Sequence, residues 1–189
     1  ERMAAEKALA VSRAEGEVVL AGDTTVAVGR RILPQAESEA DVAHFLRLLS
    51  GRRHRVHSAI SVIDAQGKQR VRCASSQVRF KSLSGEEIAA YAASGEGIGK
   101  AGGYAIQGRA DSFVVRLVGS YSNVVGLPLY ETVNLLSGEG YDIDSRTGLS
   151  LDDDDEIGIS EPVGSNDAEP PFKADEIDPA DARDNQVGA

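Results

Sequence analysis

The sequence predicts an α/β fold, a mixed and twisted sheet with helices flanking it, followed by an acidic tail that forms no ordered structure. Three observations lead there. Segments with helical spacing of apolar residues alternate with β-branched runs. Two long strand-like runs, Arg55–Asp64 and Arg70–Phe80, flank a short turn at Ala65–Lys68 and form a hairpin. From Glu139 onward both patterns stop.

Taken in order, residues Glu1 to about Glu15 are rich in Ala, Glu, Lys and Arg, with no breaker before Gly16, and predict a helix. It starts without a cap, so the chain is expected to be cut short there. Glu17–Ala21 suits a short buried strand, and Thr24–Leu33 continues extended, which sets Asp23 at the end of the first strand. Ser38–Leu49 predicts a helix with Val42, Phe45, Leu46 and Leu49 on one face and Gly51 as its stop. Ser84 and Glu87 have capping-box spacing ahead of a short helix to about Ala93. A Gly-rich loop follows, then a buried strand Ser112–Val118, a Gly/Ser/Asn loop, and a last helix at about Leu129–Leu136.

At 189 residues the chain suffices for one domain with a sizeable core, here residues 1–138, with 139–189 as the tail. It has no apolar run of about 18 residues and no visible secretory signal. Cys73 is the sole cysteine, which excludes an internal disulfide and fits a reducing cytoplasm; it is read as a strand residue without chemistry. The net charge of −10 is uneven: residues 139–189 hold 16 acidic and 3 basic side chains, leaving a body with 14 acidic and 17 basic. The tail's Asp152–Asp155 run lacks the spaced ligands of a calcium loop.

Several residues carry candidate chemistry, each with a plainer alternative. Asp23 in LAGDTT either caps a turn or holds a divalent cation or activates water at the end of a strand, with the Thr24 hydroxyl beside it. Gly95–Gly103 fails as a phosphate loop of the Walker type because Ser94 replaces the first Gly and Ala101 follows the Lys. Lys100 remains, either a surface cation or an anion contact in a loop whose backbone N–H groups are accessible. Gln107 is a surface amide or a reader of a pyrimidine edge. Ser120–Asn123 caps the last helix, with Pro128 in its first turn. His44 lies on a helix face, while His54 and His57 lie on opposite faces of a strand; none has metal-ligand spacing.

The order of these blocks is more specific than any one of them. LAGDTTVAVGRRIL, LLSGRRHRV, GKAGGYAIQG and GSYSNVVGLPL together resemble the signature of the Maf proteins, nucleoside triphosphate pyrophosphatases, over about Glu1 to Leu136. The resemblance implies a two-lobed fold like that of the inosine triphosphate pyrophosphatases, often dimeric. It implies hydrolysis of a nucleoside triphosphate to monophosphate and pyrophosphate with Mg²⁺ or Mn²⁺. Asp23 would be proton acceptor and metal contact, Lys100 a phosphate contact, and Thr24 and Gln107 determinants of base choice; the IQG form resembles the branch acting on dTTP and UTP. Three departures stand out: the sequence starts after the point where the family's Ser-x-x-Arg block stands, Gln35 occupies the place of an expected lysine, and Gly22 replaces an alanine. They lead to the expectation of a truncated or weakened enzyme, with a nucleotide-binding regulator of cell division as the alternative. Nucleic acid is disfavoured as a partner because the acidic tail repels a phosphate backbone.

Overall fold

The computed structural model describes residues 1–141. The predicted acidic tail from residue 142 on, including Asp152–Asp155, lies outside the described residues. The elements are α1 (Arg2–Leu9), β1 (Val19–Val28), β2 (Arg31–Leu33), α2 (Glu39–Leu49), β3 (Arg53–Ile63), β4 (Gln69–Phe80), α3 (Gly85–Ala93), a 3-10 turn (Arg109–Phe113), β5 (Val114–Val118), α4 (Tyr121–Val125) and α5 (Leu129–Gly138). The helices flank a five-stranded sheet of order β2-β1-β3-β4-β5, and all four strand pairings are antiparallel.

The β3–β4 hairpin is the spine. Its turn is set by Asp64, whose side chain accepts from the N–H groups of Gln66 (3.0 Å) and Lys68 (2.8 Å), an Asx turn that closes the chain on itself. Side chains alternate across β3, so His54 and Val56 enter the main core with Val78 and Phe80 of β4. α2 lays Val42, Phe45, Leu46 and Leu49 on that face, and α3 adds Ile88 and Tyr91. Beyond Ser58 the strand is buried on both sides. There α5 brings Leu135 against Ile60 and Val62, and α1 brings Ala8 against Val19 and Ile63 on the other face.

The helix Glu39–Leu49 begins at its Ser38 cap, and the capping box of Ser84 and Glu87 opens α3, both as the spacing predicts. Other expectations need correction. α1 ends at Leu9 instead of near Glu15, because Arg13 and Glu17 tie the next residues into a turn: the Arg13 guanidinium donates to Asp64 O (2.9 Å) and Glu17 accepts from Ala14 N (2.7 Å). β1 runs unbroken through the residue expected to end it, since Asp23 pairs in register with Ala59. The extended run to Leu33 is instead a tight hairpin at Gly29, whose φ of +59° lets β2 fold back. β5 is an edge strand pairing only with β4, and it exposes Val115 and Val118 instead of burying them.

Candidate functional site

β2 pairs only with Val26–Val28, so Val19–Thr25 of β1 has β3 on one side and, among the described residues, no strand on the other. A cleft of about 380 Å³ opens along this free edge. Lys7, Asp23, Thr24, Gln35, Lys100 and Tyr104 line it, and Val124–Leu127 form its far wall. Asp23 does not stand at the end of a strand, where the sequence pattern predicts it. It reaches the cleft because it sits mid-strand on an unpaired edge.

Asp23 and Thr24 are neighbours and so point to opposite faces of β1. On one face the Lys7 ammonium, from α1, donates to Asp23 Oδ1 at 2.6 Å and approaches Gly22 O at 3.5 Å. On the other, Thr24 Oγ1 lies 2.9 Å from Ser58 Oγ. Both side chains reach solvent because the cleft follows the edge between them.

The Gly-rich loop hangs on the segment after β2. Gly99 N–H donates to Ala36 O (2.8 Å), Ala36 N–H to Lys100 O (3.1 Å) and Gly102 N–H to Pro34 O (3.0 Å). This stitching sets Gln35 beside Ala101 and brings Lys100 to the cleft. Gly102 and Gly103 have φ of +73° and +70°, and a Cβ on Gly102 would lie 2.8 Å from Val26. Only glycine lets the loop lie this close to β1. The next residue, Tyr104, is buried and shares a 2.7 Å hydrogen bond with His54 Nε2. The two rings and Phe80 meet edge to face at 4.9–5.4 Å. Burial lowers the His54 pKa to about 4, and it raises that of the Tyr104 phenol.

The far wall is held by Asn123, which is fully buried. Its Oδ1 accepts from Ser58 N–H (3.2 Å), and its Nδ2 donates to Val56 O (3.1 Å) and Ser76 Oγ (2.8 Å). The Ser58 hydroxyl donates to Asn123 O at 2.7 Å. The predicted capping role of this segment is divided. Ser120 caps α4 by accepting from Asn123 N–H, and Ser122 Oγ accepts from Leu129 N–H at the start of α5. Asn123 caps nothing and pins the loop to β3 and β4.

The structure thus brings Asp23, Thr24 and Lys100 together. Gln107 is exposed on the segment past Tyr104 and is not among the cleft residues. Sequence reasoning missed Lys7, Tyr104 and the pinning role of Asn123. Lys7 gave no signal, since a lysine on a short Ala/Glu/Lys helix looks like a solvated face. His44 is exposed on α2, His57 lies on the opposite face of β3 from His54, and Cys73 is an exposed β4 residue with a free thiol. Among the described residues no three His, Cys, Asp or Glu side chains form a metal cage, and no helix is long and apolar enough to cross a membrane.

Comparison with known proteins agrees with this architecture. The model of the family described as Maf-like protein matches residues 1–139. A dTTP/UTP pyrophosphatase of Sphingopyxis alaskensis is 63% identical over 139 residues, covering 74% of this chain and 73% of the relative. One of Mesorhizobium japonicum is 63% identical over 143 residues (74% and 69%), and one of Maricaulis maris 54% over 147 residues (78% and 71%). With the match running from the α1 lysine through the loop pair to the end of α5, the chain belongs to the Maf-like protein family.

Proposed function

We propose that this chain is a nucleoside triphosphate pyrophosphatase acting on dTTP and UTP, with the cleft along β1 as its active site. The observation that carries the reading is the Lys7–Asp23 pair, which fixes the one carboxylate among the described cleft residues in a lining shared with Thr24 and Lys100. Relatives at up to 63% identity bear the same activity in their names.

Water attacks the α-phosphorus, the α–β anhydride bond breaks, and pyrophosphate leaves with the bonding electrons. Asp23 accepts the water's proton, and the Lys7 ammonium fixes that carboxylate in position. Lys100 lies where it meets phosphate charge and favours the departing pyrophosphate. Lys7 and Lys100 against Asp23 give the cleft a net positive lining suited to a polyphosphate.

The donor set also fits a divalent cation. Among the described cleft residues Asp23 is the carboxylate that would hold Mg²⁺ or Mn²⁺, with substrate phosphates supplying other ligands. Such an ion, held by Asp23, would neutralise phosphate charge. Base choice falls to Thr24 in the cleft and to Gln107, which lies outside the cleft lining and would have to meet a base that extends past Tyr104; its amide offers both a donor and an acceptor to a pyrimidine edge. The exposed, unpaired Cys73 agrees with a reducing cytoplasm, where nucleotide pools reside.

The test is pyrophosphate release from dTTP and UTP with Mg²⁺ or Mn²⁺ by the full chain and by Asp23→Asn. Release that survives unchanged in Asp23→Asn removes this carboxylate from the reaction, and no release by the parent chain with either metal overturns the activity.

A further inference from the structure

Four arginines share one open patch of the sheet face turned away from α2 and α3. The register sets Arg53 of β3 opposite Arg79 of β4, and Arg79 opposite Arg116 of β5. Arg55, two residues from Arg53, lies on the same face beside its partner Gln77. Neighbouring strands are about 4.8 Å apart, so the Arg53–Arg79–Arg116 row spans about 10 Å.

Like charges directly opposite each other destabilise a sheet. Nothing nearby relieves them: among the described residues no carboxylate lies within 4.0 Å of any of these four arginines. All four are exposed. α1 covers only the other end of this face, through Ala8 against Val19 and Ile63. Two adjoining depressions, of about 140 and 390 Å³, share Arg53 and Gln77, and Arg79 and Arg116 complete the smaller one. Neither depression includes Asp23, Thr24 or Lys100.

We propose that the Arg53–Arg79–Arg116 row, with Arg55 and Gln77, is a second anion site, separate from the β1 cleft, that binds a short chain of condensed phosphates. Guanidinium forks match phosphate oxygens and supply charge-assisted hydrogen bonds without needing a metal. A row of about 10 Å suits a di- or triphosphate, whether free or as the phosphate moiety of a nucleotide. A long nucleic acid fits less well, because a chain with a formal net charge of −10 repels it at long range while local contacts still hold a small anion.

The experiment is an amide NMR titration of the full chain, in EDTA, with inorganic tripolyphosphate, a non-hydrolysable α,β-imido analogue of dUTP, orthophosphate and a single-stranded oligonucleotide. Tripolyphosphate is expected to give saturable shifts at Arg53, Gln77, Arg79 and Arg116. In the R79S/R116S variant that affinity falls on the order of tenfold or more, while thermal stability does not drop and dTTP hydrolysis stays within about twofold of the parent. Equal shifts from the nucleotide analogue identify the phosphate chain of a nucleotide as a ligand, and shifts from tripolyphosphate alone identify free phosphates; both support the site. The proposal fails if no saturable shift occurs at these amides, if R79S/R116S binds as the parent does, if orthophosphate binds as tightly as tripolyphosphate, or if only a single-stranded oligonucleotide binds there. Because the readout is binding on the sheet face, failure here is distinguishable from failure of the pyrophosphatase reading.

Discussion

Lys7 and Asp23 meet at 2.6 Å, a helix surface residue reaching the middle of an unpaired strand edge. The pair joins α1 to β1 where the cleft opens. Asp23→Asn is expected to lower kcat for dTTP by 10²–10⁴-fold, the range for loss of a general base. Lys7→Met should lower it less, by about 10-fold, through loss of carboxylate positioning. Because the two act as one unit, the double variant should be no slower than Asp23→Asn alone within about twofold. Steady-state pyrophosphate release checks this, and fully additive losses would separate the two roles.

Gln35 lines the cleft next to Ala101 and Lys100, and an amide there contributes no charge. Gln35→Lys is expected to raise kcat/KM by about tenfold, since a charge-assisted hydrogen bond to phosphate contributes about 1.5–3 kcal/mol. The gain should appear mainly in KM if the contact forms in the ground state. An unchanged kcat/KM would mean that the new ammonium does not meet the phosphates.

Asn123→Ala removes three buried side-chain hydrogen bonds and strands Ser58 N–H in the core. The expected loss is about 2–4 kcal/mol, read from the urea midpoint. Activity should fall with it even where the variant is fully folded, since the wall formed by Val124–Leu127 loses its anchor. A variant that is as stable as the parent would show that ordered water replaces the amide.

His54 predicts a specific acid sensitivity. Its folded pKa is lowered to about 4 by burial, against about 6.5 in the unfolded chain. Above pH 6.5 the imidazole is neutral in both states and the full stability is present. As pH falls from 6.5 toward 4 the unfolded state takes up a proton that the folded state refuses, so stability falls, by about 3 kcal/mol from this group. Urea denaturation at pH 7 and pH 4.5 should show a larger loss for the parent than for His54→Gln. Equal losses would mean that the ring is protonated in place.

How far the sequence foretold this molecule depends on whether the signal was local. The capping box of Ser84 and Glu87, the four apolar positions of α2 and the β3–β4 hairpin are written in residues a few positions apart, and the structure has them. Asp23, Thr24 and Lys100 were legible because they stand in strongly patterned blocks. The failures were long-range. Ending α1 at Leu9 depends on Arg13 reaching Asp64, fifty-one residues on. The continuity of β1 through Asp23 depends on β3, and the exposure of β5 on what lies beyond it. Lys7 became a cleft residue only when a helix with two buried alanines settled against the sheet.

The opposite orientations of Asp23 and Thr24 make strand register a functional variable. The pleat of β1 decides which side chain meets Lys7 and which meets Ser58. A one-residue slip of β1 against β3 would set either Thr24 or Gly22 in the place of Asp23, removing the carboxylate from Lys7 while leaving composition and fold class intact. Length changes at the 64–68 turn would disturb the turn that Asp64 sets but lie away from the cleft. Inside β1, a single inserted or deleted residue that moves Asp23 by one position would turn its carboxylate away from Lys7 and uncouple a well-folded protein from its chemistry.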